Sequence, residues 1–294
     1  MKLGLHLANF TYGADTAEFA AKLDDIVACA EEAGFDRISV MDHYFQIPMV
    51  GPAQHEMFEA YGILGYIAAR TSRVQLGTLV SGVTYRNPGF LAKQVTGLDV
   101  LSGGRAWLGL GAAWFDREHE GLGFDFPPLK QRFEMLEESL QICRQMWSDD
   151  GTGRRGRRPV RPGDAVCATA APSSHGRPIL VERRRCEKKT LRLVARYADM
   201  CNVRMDTPEA VKHRFDVLAE HCANEGRDFA DIERTVVTRY DPKADGSGVD
   251  EMVDTFGKFA EVGVQGAMGY VNGLEDPKVL DVMGSRVIPQ LKEL

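Results

Sequence analysis

Asp42 and His43 stand side by side after the apolar run Ile38-Ser39-Val40-Met41. An imidazole exchanges a proton near neutral pH, and a carboxylate beside it can tune or orient it. The pair is therefore a candidate for general acid–base work. Adjacent residues of a strand point to opposite faces, so both reach one site only if the chain turns there. The plainer reading is a strand-end histidine that hydrogen-bonds a loop. A second candidate is Gly109-Leu110-Gly111-Ala112-Ala113-Trp114. Trp114 occupies the place of the third glycine of a dinucleotide fingerprint, so that motif is incomplete. The glycines serve either close packing at a strand end or the approach of a flat ring to bare backbone. Leu79-Val80-Ser81-Gly82 ends another apolar run, and Asn9 and Phe10 follow the first. His6, inside a strand, reads as a satisfied core side chain; His119, flanked by Glu118 and Glu120, reads as surface. No metal-ligand cluster, G-x-S-x-G elbow or Walker A loop stands out.

The elements that must position these residues alternate strictly. Strands are expected at KLGLHLA, FDRISVMD, VQLGTLV, RAWLGLG, RPILV, DMCNV, RTVVTRY and GAMGYV. Helices are expected between them at 16–33, 57–70, from Pro88, from Leu129, at 188–197, 207–225 and 249–262, and after the last strand at 276–291. Leu23, Ile26, Val27 and Ala30 form one helical face; Leu129, Phe133, Leu136, Leu140, Cys143 and Trp147 form another. Gly34 suits a helix C-terminus and Pro88 a first turn. Eight strand–helix pairs are the count of a (β/α)8 TIM barrel, and a doubly wound open sheet is the rival. The barrel is preferred because nothing splits the chain in two, giving a single domain over 1–294. In a barrel, the candidates above sit after strand C-termini, where active sites are built.

The chain has 294 residues, 44% hydrophobic and 27% charged, an ordinary globular composition. Its net charge of -6 argues against a dedicated nucleic-acid binder. Six cysteines without C-x-x-C spacing read as reduced thiols of a cytoplasmic protein. Neither a signal peptide nor a membrane-spanning run is apparent.

At VMDH, at LGTLVSGVTYRNPGFLAKQVTGLDVLSGGRAWLGLGAAWFDREHEGLG and at EKKTLRLVARYADMCN, the chain resembles the bacterial luciferase-like superfamily, and within it the F420-dependent oxidoreductase branch. That resemblance implies a (β/α)8 barrel with coenzyme F420, a hydride-carrying deazaflavin, or alternatively FMN, at the strand C-termini. It implies that Asp42 and His43 are catalytic and that His43 moves a substrate proton. Leu79-Val80, a non-proline cis peptide in the family, and Ser81 would support the ring. Gly109, Gly111, Ala112, Ala113 and Trp114 would line it. Some sugar-phosphate dehydrogenases of the family carry a catalytic glutamate where this chain has Trp114, which puts alcohol oxidation in doubt. The implied protein is a homodimer acting on a small molecule, either as an F420-dependent oxidoreductase or as an FMN-dependent monooxygenase. A cofactor-impaired, non-catalytic barrel is the third reading.

That third reading comes from the stretch 151–186, rich in arginine, glycine and proline and without period. In relatives a glycine-rich loop follows strand five and holds the cofactor phosphate on backbone N–H groups. Here Glu182-Arg183-Arg184-Arg185-Cys186 stands in its place. The stretch is either translated out of frame, with the frame restored at Glu187, or a genuine arginine-rich insertion. A nucleic-acid arm is disfavoured because no aromatics are interleaved for stacking.

Overall fold

The structure, a computed structural model, describes residues 1–12, 15–148, 177–183 and 187–294. Among these, eight parallel strands close a barrel: β1 (Lys2–Leu7), β2 (Arg37–Val40), β3 (Gln75–Thr78, resuming as Ser81–Gly82), β4 (Ala106–Gly111), β5 (Ile179–Arg183), β6 (Met200–Arg204), β7 (Glu233–Tyr240) and β8 (Gly266–Val271). β1 pairs with β2 and β8, and β3 pairs with β4 through Leu76 opposite Ala106 and Ser81 opposite Leu110, which completes the ring. The open-sheet rival is thereby excluded.

Strands buried on both faces read as apolar runs, and these do. Along β1 the outward residues Leu3, Leu5 and Leu7 are fully buried under the helices, as Ile38 and Val40 are along β2. The barrel interior is packed by a separate cluster of Leu79, Trp107, Leu180, Met200 and Met268. Trp107 fits only because Gly77 has no side chain: a Cβ there would lie 2.4 Å from the indole Cδ2. Arg37 and Lys2 both pair with Glu233 at the N-terminal mouth of the barrel.

The helices are α1 (Phe19–Ala33), α2 (Ala60–Arg70), α3 (Pro88–Leu101), α4 (Asp116–Leu122), α5 (Leu129–Met146), α6 (Glu187–Tyr197), α7 (Pro208–Glu225), α8 (Val249–Glu261), α9 (Pro277–Val282) and α10 (Ile288–Lys292). The expected stripe of α1 is the buried one, and Gly34 caps it in the left-handed conformation. α2 starts later than its apolar pattern because Glu59 accepts from the Gly62 N–H and caps the helix there. The last helix is broken rather than continuous: α9 passes through a π turn, Met283–Val287, into α10. Pro289 has no N–H to give to the preceding turn, and Gly284 packs where a Cβ would lie 2.7 Å from Ala33 Cα.

Two departures bear on function. α4 was not expected, and it buries Glu118 and His119 completely, so neither is a surface residue. Within 151–186, residues Ile179, Leu180 and Val181 are fully buried strand, bonded between β4 and β6. The ILV run is therefore built into the barrel. Residues 151–176 and 184–186 lie outside the described residues, and with them most of the insertion or frame reading.

Candidate active site

The strand C-termini enclose a cavity of about 710 Å³. Of the sequence candidates it is lined by Asp42, His43, Leu79, Val80, Ser81, Gly111, Ala112, Ala113 and Trp114. Gly109 is not on its wall. A Cβ at Gly109 would lie 1.9 Å from the Thr78 carbonyl oxygen, so the bare Cα serves close packing of β4 on β3. Asn9 and Phe10 are also off the wall; Phe10 packs edge-on against Phe19 and Phe58. A shallower depression of about 440 Å³ lies at the opposite mouth, around Arg37 and Glu233, away from the loops that carry barrel chemistry.

Asp42 and His43 both reach the cavity because β2 ends at Val40 and the chain turns. They do not work as a pair. Both Asp42 oxygens are held by Arg86, at 2.6 and 2.8 Å, and Arg86 also reaches Glu59 at 2.5 Å. The carboxylate on His43 is Glu118 instead: Nδ1 lies 2.7 Å from Glu118 Oε1. Glu118 Oε1 also accepts from the Tyr85 hydroxyl, and Oε2 accepts from the Tyr44 and Phe45 N–H groups at 2.9 and 3.2 Å. Burial raises the Glu118 carboxyl pKa, but these donors, His43 first, outweigh it and hold the group below the usual carboxylate range. Behind it, the carbonyl of Phe115 accepts from His119 Nδ1, because a carbonyl cannot donate; His119 Nε2 meets Thr84 Oγ1 at 2.7 Å. The Tyr85 ring stacks on His119.

The second wall is apolar. The Leu79–Val80 peptide is cis, as the resemblance implied. Ser81 is fully buried, and its hydroxyl meets both Tyr61 and Thr78 at 3.0 Å, so it braces the strand behind the wall. Ala112 and Ala113 continue the wall, their carbonyls held by Arg132 Nη1 at 3.0 and 2.6 Å. Trp114 stands edge-on to His43, ring centroids 5.6 Å apart. His6 lines the floor, its Nδ1 2.9 Å from Ser39 Oγ, and burial pushes it down to about 4. That makes it the satisfied core histidine its position suggested. Glu182, from β5, also lines the cavity.

Sequence reasoning missed Glu118, Tyr85 and Arg86. A signal for α4 was present: an acidic first turn, Asp116 and Glu118, followed by Gly123 as the left-handed cap. No sequence signal joins Tyr85 or Arg86 to residues some 40 positions earlier, such as Asp42.

The model of the luciferase-like monooxygenase family matches residues 1–240. The chain belongs to that family. The F420-dependent glucose-6-phosphate dehydrogenase of Amycolatopsis mediterranei (strain U-32) is 34% identical over 150 residues, covering 49% of this chain and 43% of that protein. The enzyme of the same name from Rhodococcus erythropolis (strain PR4 / NBRC 100887) is 27% identical over 237 residues, covering 76% and 66%. The chain thus spans less than half the length of the first of these relatives. Among solved structures, an F420-dependent tetrahydromethanopterin reductase from Methanopyrus kandleri superposes with a TM-score of 0.77 at 17% identity, covering 99% of both chains. An F420-dependent secondary alcohol dehydrogenase does so with a TM-score of 0.80 at 16% identity, covering 99% of this chain and 98% of that one. At such identities the likeness is one of fold. Among the described residues no group of histidine, cysteine, aspartate or glutamate could hold a metal, and no helix is long and apolar enough to cross a membrane.

The Asp42–Arg86 pair can be tested by stability alone. Both side chains are almost fully buried. Removing one partner of such a pair strands a charge, at about 3–5 kcal/mol. Arg86→Met is expected to destabilise the protein by that amount, and Asp42→Asn in the same chain to recover much of the loss. Urea melts of the single and double variants check it; an Arg86→Met protein as stable as the parent would remove the pair from the scaffold.

Proposed function

We propose that this chain is an oxidoreductase that moves hydride between coenzyme F420 and a small organic substrate. The observation that carries the reading is the placing of His43, backed by a buried carboxylate, on the same cavity as the apolar wall formed by Leu79, Val80, Ala112 and Ala113. The residues present suit a flat ring: the wall is apolar, its β4 side is kept low by Gly111 and two alanines, and about 710 Å³ is ample for a small-molecule site. Leu79, Val80, Gly111, Ala112, Ala113 and Trp114 would hold that ring, and the deazaflavin would supply the hydride acceptor or donor. His43 does the proton work. Its Nδ1 is committed to Glu118, so Nε2 is the nitrogen left to take a hydroxyl proton during oxidation or return it during reduction. Asp42 has both oxygens on Arg86 and anchors the turn that carries His43.

The relatives' names support F420 over other nicotinamide-like carriers, and Trp114 leaves the substrate class open. An FMN-dependent monooxygenase is the alternative within the family. One observation favours the impaired-barrel reading: Glu182 lines the cavity from β5, where the family resemblance implies the start of a glycine-rich loop. A homodimer and a cytoplasmic location belong to the same proposal; the first rests on the family resemblance, the second on cysteines that read as reduced thiols.

Equilibrium titration with F420 and with FMN, followed by oxygen-uptake measurement, separates the readings. Tight F420 binding without oxygen uptake is the expected result. Tight FMN binding with oxygen uptake would replace it by the monooxygenase, and failure to bind either would leave the impaired barrel.

A further inference from the structure

We infer that Glu118 is a positioning residue that fixes the His43 imidazole with its proton on Nδ1 and turns Nε2, as the proton acceptor, into the cavity. The inference rests on the proposed role of His43, but its geometry stands independently.

An ionised carboxylate offers about four acceptor sites and no donor. Glu118 has all four filled: His43 Nδ1 and the Tyr85 hydroxyl on Oε1, the Tyr44 and Phe45 N–H groups on Oε2. Two consequences follow. Glu118 has no capacity left for a substrate, so it acts through His43. And Nδ1, facing an acceptor, must carry a hydrogen, which in neutral imidazole leaves the lone pair on Nε2. Among the described hydrogen bonds Nε2 has no partner, while His43 lines the cavity. The surroundings reinforce this state. Trp114 and Phe115 meet the ring edge-on, at 5.6 and 5.9 Å, and block its rotation. Asp42 turns its two oxygens to Arg86, and the imidazole bonds to Glu118 instead. His6, kept neutral by burial above about pH 4, adds no charge over the ordinary working range.

In an oxidation Nε2 would take the substrate hydroxyl proton, and bound F420 would accept the hydride that leaves the same carbon as its C–O bond becomes a carbonyl. The imidazolium so formed sits 2.7 Å from Glu118. Opposite charge at that distance, sheltered from water, favours the transition state.

Glu118→Gln reverses the pattern with almost no change of shape. The Tyr44 and Phe45 N–H groups require an acceptor, so they take the amide oxygen and leave the NH₂ group facing His43. Nδ1 must then accept, and the proton moves to Nε2. The test is nitrogen-15 NMR of the histidine-labelled full chain, without substrate or cofactor, with His43 assigned by difference from His43→Asn. The native protein is expected to show the Nδ1–H tautomer, Glu118→Gln the Nε2–H tautomer, and Tyr85→Phe the native one, since it keeps the carboxylate. A wrong tautomer in the serine-protease triad costs about 10⁴-fold, so turnover of Glu118→Gln is expected to fall about 10²-fold or more with cofactor affinity unchanged. An Nε2–H tautomer in the native protein overturns the inference even if Glu118→Gln fails to fold. So does a folded Glu118→Gln with the native tautomer. Failure of F420 to bind would sink the proposed function and leave the tautomer result standing.

Discussion

His43→Ala is expected to lower turnover by about 10²–10⁴-fold, the usual worth of a positioned general acid or base. The dissociation constant of F420 should barely move. The reason lies in how the cavity divides: the apolar wall comes from Leu79, Val80, Ala112 and Ala113, whereas His43 stands with Glu118, Trp114 and Tyr85. Loss of an interaction made only as the proton moves lowers kcat and kcat/KM together; loss of ring support raises KM or the cofactor Kd instead. Steady-state kinetics beside a fluorescence titration of F420 distinguishes the two. Parent-like turnover in His43→Ala, with a substrate whose reaction requires proton transfer, would reduce His43 to a loop anchor. The stability cost of the substitution is bounded by the Glu118 carboxylate: it keeps three other donors when the imidazole is gone.

Gly109→Ala is expected to prevent formation of the native barrel. The added methyl would lie 1.9 Å from the Thr78 carbonyl oxygen and 3.1 Å from its carbon, both backbone atoms of the neighbouring strand. Ordinary overpacking costs about 1–3 kcal/mol because side chains can shift aside. Here the obstacle is the chain itself, at the place where β3 and β4 join and close the ring. The strands would have to separate, and the Thr78 hydroxyl would lose its bond to the Gly109 carbonyl. Gly111→Ala provides the control: its methyl meets only Val80 Cγ2, at 2.8 Å, the tip of a side chain. That variant is expected to fold and to lose cofactor affinity. Circular dichroism, size exclusion and F420 titration of the two variants check the contrast. A folded Gly109→Ala with weakened F420 binding would return Gly109 to the cofactor wall.

The chemistry was partly legible in one dimension. His43 carries an ionisable ring at the end of an apolar run, and strand ends are where barrel sites form. Its carboxylate was misassigned because sequence adjacency favoured Asp42. Glu118 lies 75 residues further on, in a short helix whose charged residues looked solvated. A charged run reads as surface unless something shows that partners await it, and the partners of Glu118 come from the β2 turn and from Tyr85. Gly109 and Gly111 show the same limit. Both are glycines on one strand, yet only Gly111 reaches the cavity, and the difference is a carbonyl on another strand.

The sequence by itself determined the barrel. The eight apolar runs, their period, the cap at Gly34, Pro88 in a first turn and the buried stripe of α1 depend on local geometry and on burial, which neighbours in the chain report. Pattern also placed His43 and the Leu79–Val80 peptide at the strand C-termini, where both line the cavity. Only the tertiary structure decided which carboxylate serves the histidine, which glycine packs and which faces the cavity, and that Arg86 neutralises Asp42. Those are pairings between residues tens of positions apart. Hydrogen bonds and ion pairs act over about 3 Å, and closing the barrel is what brings such residues within that distance.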